Sequence, residues 1–104
     1  MQCLVRFTSR AEEQLDELDA YLSERFSESD AARFVDGIVG YCESLSTFPL
    51  RGTARDDIRP GLRITSYRKR VAIALEVDGD RVNILGVFYG GQNYEVALLA
   101  EDDE

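Results

Sequence analysis

Residues 51 to 70 hold seven cations, Arg51, Arg55, Arg59, Arg63, Arg68, Lys69 and Arg70, against two carboxylates, Asp56 and Asp57. The window carries plus 5, the rest of the 104-residue chain sums to minus 13, and the whole to minus 8. A local basic patch on an acidic chain suits an acidic partner. It does not suit general nucleic-acid binding, because a favourable phosphate term needs cations to displace counterions across the whole contact. A second group of residues closes the last apolar run, in "GVFYGGQNYE" (86 to 95). A hairpin or a cap uses only part of it. Gly90 and Gly91 let the chain leave a strand through conformations closed to residues with a Cβ, and Gln92 and Asn93 satisfy freed backbone groups. Tyr89 and Tyr94 remain over as candidate contacts.

The chemistry these residues can do is bounded by what the chain lacks. There is no His, and the two cysteines, Cys3 and Cys42, are far apart in sequence with no C-x-x-C spacing. Zinc sites and His-based acid/base catalysis therefore have no obvious ligands or base, and neither metal nor cofactor is expected. Both cysteines fall on apolar faces and read as buried, reduced thiols. With 44% hydrophobic and 31% charged residues the composition is that of a globular chain. No apolar stretch nears the roughly 18 residues needed to span a bilayer, and "MQCLVRFTSR" lacks a signal-peptide centre, so a cytoplasmic location and no membrane contact are expected. At this length one domain is expected over residues 1–104, with its core over about 3–95 and an acidic tail over 96–104.

The elements that must position the candidate residues follow from periodicity. "CLVRF" (3 to 7) alternates as a strand. Ser9 is the expected N-cap of a first helix, with Glu12 completing a capping box. Ala11, Leu15, Leu18 and Leu22 then recur at helical spacing to about Phe26. "SESD" (27 to 30) is a short link with Ser29 or Asp30 as the next cap, and Ala31, Phe34, Val35, Ile38, Val39, Cys42 and Leu45 form the stripe of a second helix, stopped by Phe48-Pro49. Gly37 and Gly40 inside that helix imply a close approach to the first helix. Two amphipathic helices with so short a link form an antiparallel hairpin. Residues 49 to 61 read as an irregular loop, with Pro60 and Gly61 turning the chain into the next strand. Three strands follow, 62 to 67, 71 to 77 and 82 to 89, joined by "RKR" and "DGDR" as an antiparallel meander. On the last of them Val82, Ile84, Gly86 and Phe88 are expected on one face. The class is α+β: a strand, a two-helix hairpin, then a three-stranded meander, with the helices on one face of the sheet.

This order, with "FTSRAEEQLDELDAYL" (7 to 22), "FPLRGTARDDIRPGLR" (48 to 63) and "GVFYGGQNYE" (86 to 95), resembles the RelE/ParE superfamily of type II toxin-antitoxin toxins, the ParE branch in particular, over residues 3 to 95. The resemblance implies a toxin held in a hetero-oligomer by a cognate ParD-like antitoxin, bound through a helix and an extended stretch. Nothing in the sequence fixes which residues here meet that antitoxin. ParE-like members are associated with inhibition of DNA gyrase, and RelE-like members with cleavage of mRNA on the ribosome.

The residues discriminate between these branches. Cleavage through the 2′-hydroxyl needs a base, cations for the crowded phosphate and an acid for the leaving oxygen. The closing segment offers glycines and neutral amides where RelE-like enzymes tend to carry basic residues, which leaves Arg63, Arg68 and Arg70 with Tyr89 or Tyr94 for a nuclease. Binding a protein target asks only for a shaped surface with aromatic and arginine anchors. Its candidates are Arg59, Arg63, Tyr67, Arg68 and Arg70, with Tyr89 and Tyr94. The expected activity is therefore gyrase inhibition by binding, with a RelE-type endoribonuclease or a non-toxic binding remnant as alternatives. No sequence-specific nucleic-acid contact is expected.

Overall fold

The computed structural model describes residues 3–90. The order is β1 (Leu4–Phe7), α1 (Ser9–Arg25), α2 (Glu28–Ser44), β2 (Thr53–Ala54), β3 (Leu62–Tyr67), β4 (Val71–Asp78) and β5 (Arg81–Tyr89). The sheet runs β1-β5-β4-β3-β2. The β2/β3, β3/β4 and β4/β5 pairs are antiparallel, and β1 lies parallel to β5. The helical hairpin carries the chain from the β1 edge to the β2 edge, so it must cross one whole face.

Each helix begins one or more residues earlier than expected. Thr8, not Ser9, is the N-cap of α1, its hydroxyl accepting from the Ala11 N–H at 3.2 Å. Glu12 therefore lies beyond the reciprocal capping-box position. Ser27, not Ser29 or Asp30, caps α2, with its hydroxyl accepting from the Asp30 N–H at 3.1 Å. Glu28 and Asp30 occupy the first turn, where carboxylates favour the positive end of the helix dipole. The link from α1 to α2 is only Phe26 and Ser27.

The main core lies between the helices and the sheet. Ala11, Leu15, Leu18 and Leu22 of α1 and Ala31, Ile38 and Cys42 of α2 pack against Val71, Ile73 and Leu75 of β4 and Val82, Ile84 and Val87 of β5. Fully burying each large aliphatic among these stabilises by about 1.5–3 kcal/mol. The opposite face carries a smaller cluster of Ile58, Leu62, Ala74 and Phe88. Because β4 is covered on both sides, it reads "VAIALEV", nearly continuous rather than alternating.

Phe88 in that second cluster departs from the even alternation expected for β5. Leu75 pairs with Ile84 and Ala74 with Gly86, so Leu85 is left as an unpaired bulge residue. Val82 and Ile84 face the helices, but past the bulge it is Val87 and Tyr89 that do so, and Phe88 faces away. The start of α1 holds this irregularity. The Thr8 N–H donates to the Ile84 carbonyl (3.1 Å), the Thr8 hydroxyl to the Leu85 carbonyl (3.3 Å), and the Val87 N–H to Gln14 Oε1 (2.7 Å). Gly86 fits because a Cβ there would lie 2.7 Å from the Phe88 ring.

The segment expected as an irregular loop contains β2, a two-residue strand pairing Thr53 with Ile64 and Ala54 with Arg63. Beyond it Arg55 grips Asp57 through two 3.0 Å bonds, which hold the Asp57 carboxyl below its usual range.

Two predictions follow from this packing. Gln14→Leu removes the acceptor for the Val87 N–H and is expected to cost about 1–3 kcal/mol, with faster hydrogen exchange at Val87. Gln14→Glu keeps an acceptor and should restore most of both in chemical unfolding and exchange measurements. Burial pushes the Cys42 thiol up to about 12, with the Glu43 carboxylate adding to the effect. The folded state thus keeps a proton that the unfolded chain sheds above its ordinary 9.0, so this contribution is complete below that value and is lost as pH rises toward 12. Between about pH 8 and about pH 10, wild type should lose about 1.4 kcal/mol more stability than Cys42→Ala in urea unfolding.

Candidate functional site

The connection from β3 to β4 is the tip of the sheet. Arg68 and Lys69 both have positive φ, 52° and 58°, and the Arg70 N–H closes the turn on the Tyr67 carbonyl at 3.1 Å. Left-handed backbone costs a side-chain-bearing residue about 1–2 kcal/mol. Turns of this hand favour Asn-Gly or Asp-Gly, yet the chain places consecutive cations there. Arg68, Lys69 and Arg70 are all exposed. Such an outlier, where a cheaper sequence exists, makes the tip a candidate for a task other than stability.

Behind the tip an aromatic row runs along the seam between helices and sheet. Ring centroids are separated by 6.1 Å for Tyr21–Tyr89, 6.0 Å for Tyr89–Phe34, 5.8 Å for Phe34–Tyr67 and 5.7 Å for Tyr67–Tyr41. Tyr67 is seated over Gly37, where a Cβ would collide with its phenol oxygen. The approach that requires Gly37 is thus made by β3 and not by α1, and Gly40 has nothing within 4 Å of a built Cβ. The Tyr41 and Thr65 hydroxyls are hydrogen-bonded at 2.8 Å. Guanidiniums lie over the row at both ends and at the tip: Arg25 over Tyr21 (5.4 Å), Arg68 over Tyr67 (5.4 Å) and Arg51 over Tyr41 (5.8 Å). At exposed positions each such contact contributes about 0.5–1 kcal/mol.

Tyr67, Arg68, Arg70 and Tyr89 come together at this end, because Val71 pairs with Tyr89 and the Gly90 N–H donates to the Arg70 carbonyl at 2.9 Å. Arg63 does not join them. Its guanidinium donates to the carbonyls of Leu50, Arg51 and Gly52 at 3.0–3.1 Å, fastening the β2 loop. It lies four residues before Tyr67 on β3, about 13 Å along the strand. Arg59 approaches Glu76 at 3.9 Å on the face away from the helices. Tyr94 falls outside the described residues. The set considered for a nuclease is therefore divided, with Arg63 committed to backbone carbonyls and only Arg68, Arg70 and Tyr89 adjacent.

Sequence reasoning missed Phe26, Arg33 and Phe34. Phe34 lies on the core stripe of α2 and reads as core. Phe26, four residues after Leu22 at the end of the α1 stripe, reads as core in the same way. It is 67% exposed.

The family model for the ParE toxin of the type II toxin-antitoxin system, parDE, matches residues 5–94. Among solved structures the chain is similar to one from the chromosomal ParDE toxin-antitoxin system of P. aeruginosa, with a TM-score of 0.74 and 20% identity over 86% of this chain and 97% of that one. It is also similar to a chain from the toxin-antitoxin complex RelBE2 of Mycobacterium tuberculosis, with a TM-score of 0.63 and 23% identity over 88% and 95% of the two chains. At these identities the likeness is one of fold. No curated protein matches.

If the tip is held for function, relieving it should stabilise. Lys69→Gly is expected to raise stability by about 0.5–1 kcal/mol, the relief of left-handed strain less the entropy that glycine loses, read as a higher urea midpoint with an unchanged slope.

Proposed function

We propose that this chain, which belongs to the ParE toxin family of type II toxin-antitoxin systems, acts by docking onto DNA gyrase through the Arg68-Lys69-Arg70 tip and the aromatic row behind it. The observation that carries the reading is the tip itself: consecutive exposed cations in left-handed backbone, set against Tyr67 and beside Tyr89. Such a surface has the components of an interface hot spot, with aromatic bodies for area and arginines for directed bonds at the rim. The commitment of Arg63 to loop carbonyls supports binding over RNA cleavage, since it leaves fewer groups beside Tyr89 to stabilise a phosphorane or move protons. In this reading the toxin works in the cytoplasm and is neutralised there by a ParD-like antitoxin. The two solved structures described above come from toxin-antitoxin systems, which supports that partner.

The test is induction of the chain without antitoxin, with plasmid supercoiling and translation followed in the same cells. Supercoiling is expected to fall first while messenger stays intact. The double variant Arg68→Glu/Arg70→Glu should lose inhibition of purified gyrase by about tenfold or more, corresponding to about 1.4 kcal/mol or more of docking energy, with little change in thermal midpoint. Messenger cut within translating ribosomes, with gyrase unaffected, would overturn the reading in favour of the nuclease. Unimpaired growth on induction would mark a non-toxic binding remnant.

A further inference from the structure

Where α1 hands over to α2, a depression of about 270 Å³ is lined by Leu22, Phe26, Asp30, Phe34, Arg70 and Tyr89. A second, of about 160 Å³, continues from Asp30 and Phe34 to Arg33, Tyr67 and Arg68. The first has an apolar floor and includes the ring of Phe26, an exposed aromatic in a two-residue link that any polar residue could fill. Around the two together stand three guanidiniums, those of Arg33, Arg68 and Arg70, and a single carboxylate, that of Asp30. This local excess of cations sits on a chain of net charge minus 8.

We propose that these depressions are the anchor site for a segment of the protein target that presents one bulky apolar side chain with a carboxylate beside it. The apolar group seats against Phe26 and Phe34, and the carboxylate is received by Arg70. The inference rests on the docking reading above and supplies the chemistry of the segment that docks. Charge complementarity selects the flanking residue: a guanidinium pairs with a carboxylate through parallel charge-assisted bonds, and a basic segment meets like charge on three sides. Continuity selects the owner, because Arg70 belongs at once to the pocket and to the tip.

The test uses the purified full-length chain and a fluorescein-labelled peptide of about a dozen residues, with one central Leu followed by two Glu, read by anisotropy. Three twins replace the Leu by Ala, the Glu pair by Gln, or the Glu pair by Lys. The Leu-Glu probe is expected to bind, and the Ala and Gln twins to bind at least about tenfold more weakly. Phe26→Ala, at an exposed position that leaves the core intact, should weaken the probe by a similar factor. Arg70→Glu should reject the Leu-Glu probe and take up the Lys twin, a reciprocal exchange that misfolding cannot imitate. Purified gyrase should displace the probe.

Equal binding of the Glu and Gln twins, or an undiminished Arg70→Glu, overturns the pocket while leaving gyrase docking at the tip intact. A probe that binds with the expected charge dependence but is displaced by antitoxin and not by gyrase overturns the assignment to the target, while the docking reading stands or falls on the supercoiling test. A dimer dissolved by Phe26→Ala assigns the pocket to a second copy. Probe binding that appears only after Glu101, Asp102, Asp103 and Glu104 are changed to amides assigns it to this chain's own end. Either result also overturns the proposal.

Discussion

One unpaired residue governs the geometry of the site. Leu85 interrupts the β4/β5 ladder, and everything beyond it on β5 is turned to the other face. Strict alternation from Val82 and Ile84 would put Phe88 among the helices and leave Tyr89 on the far side. With the bulge in place Tyr89 lies between Tyr21 and Phe34, and Phe88 fills the small cluster opposite. Because the side-chain period of a strand is two, a register change of one residue exchanges every contact on both faces. The freed backbone groups would make such a change unfavourable if left bare. Thr8 and Gln14 answer three of them, so the first turns of α1 determine which aromatic the distant end of β5 presents.

The same contacts tie the site to the core without making it part of the core. Ile73, Leu75 and Ile84 are fully buried and the helices cover them. Their burial anchors β4 and β5 with no help from the tip. The tip can then hold Arg68 and Lys69 in left-handed backbone at a combined cost of about 2–4 kcal/mol, a sum of the order contributed by one or two buried aliphatics. An edge carried by strained backbone needs an over-determined scaffold behind it, and the doubly covered β4 provides one.

The helical stripes, the strand runs and the α+β order were legible in the sequence because each depends on periodicity over ten or more residues. What was not legible depends on single tertiary contacts. Thr8 takes the cap from Ser9 because the chain is still extended there and its hydroxyl also reaches Leu85, a partner 77 positions away. Gly37 is explained by a phenol arriving from β3, which no helical pattern records. The bulge has only Gly86 as a sequence trace, and a lone glycine in a strand marks several different irregularities. For the site, the tip cations and Tyr67 and Tyr89 could be named in advance, whereas Phe34 was hidden by its position on a helical stripe.

The cations of residues 51 to 70 look like one patch in sequence and perform at least three tasks in space. A two-residue β2 offers too little ladder to hold the loop before it, and the five-donor fork of Arg63 replaces the missing strand bonds by gathering three carbonyls. Arg55 closes its own turn on Asp57, and Arg59 faces Glu76 on the opposite surface. Arg51 lies over Tyr41 and Phe48, and the remaining three form a compact basic tip on a chain whose other segments are strongly acidic, an asymmetry that is itself selective. A polyanion long enough to run past the tip meets the acidic remainder and gains little, whereas a folded partner with a local acidic and apolar patch meets only the tip and its rings. Charge segregation of this kind steers orientation and rejects mismatched partners more than it adds raw affinity. In the docking reading proposed above, most of the holding is then left to the aromatic row, whose placement goes back to the single unpaired residue on β5.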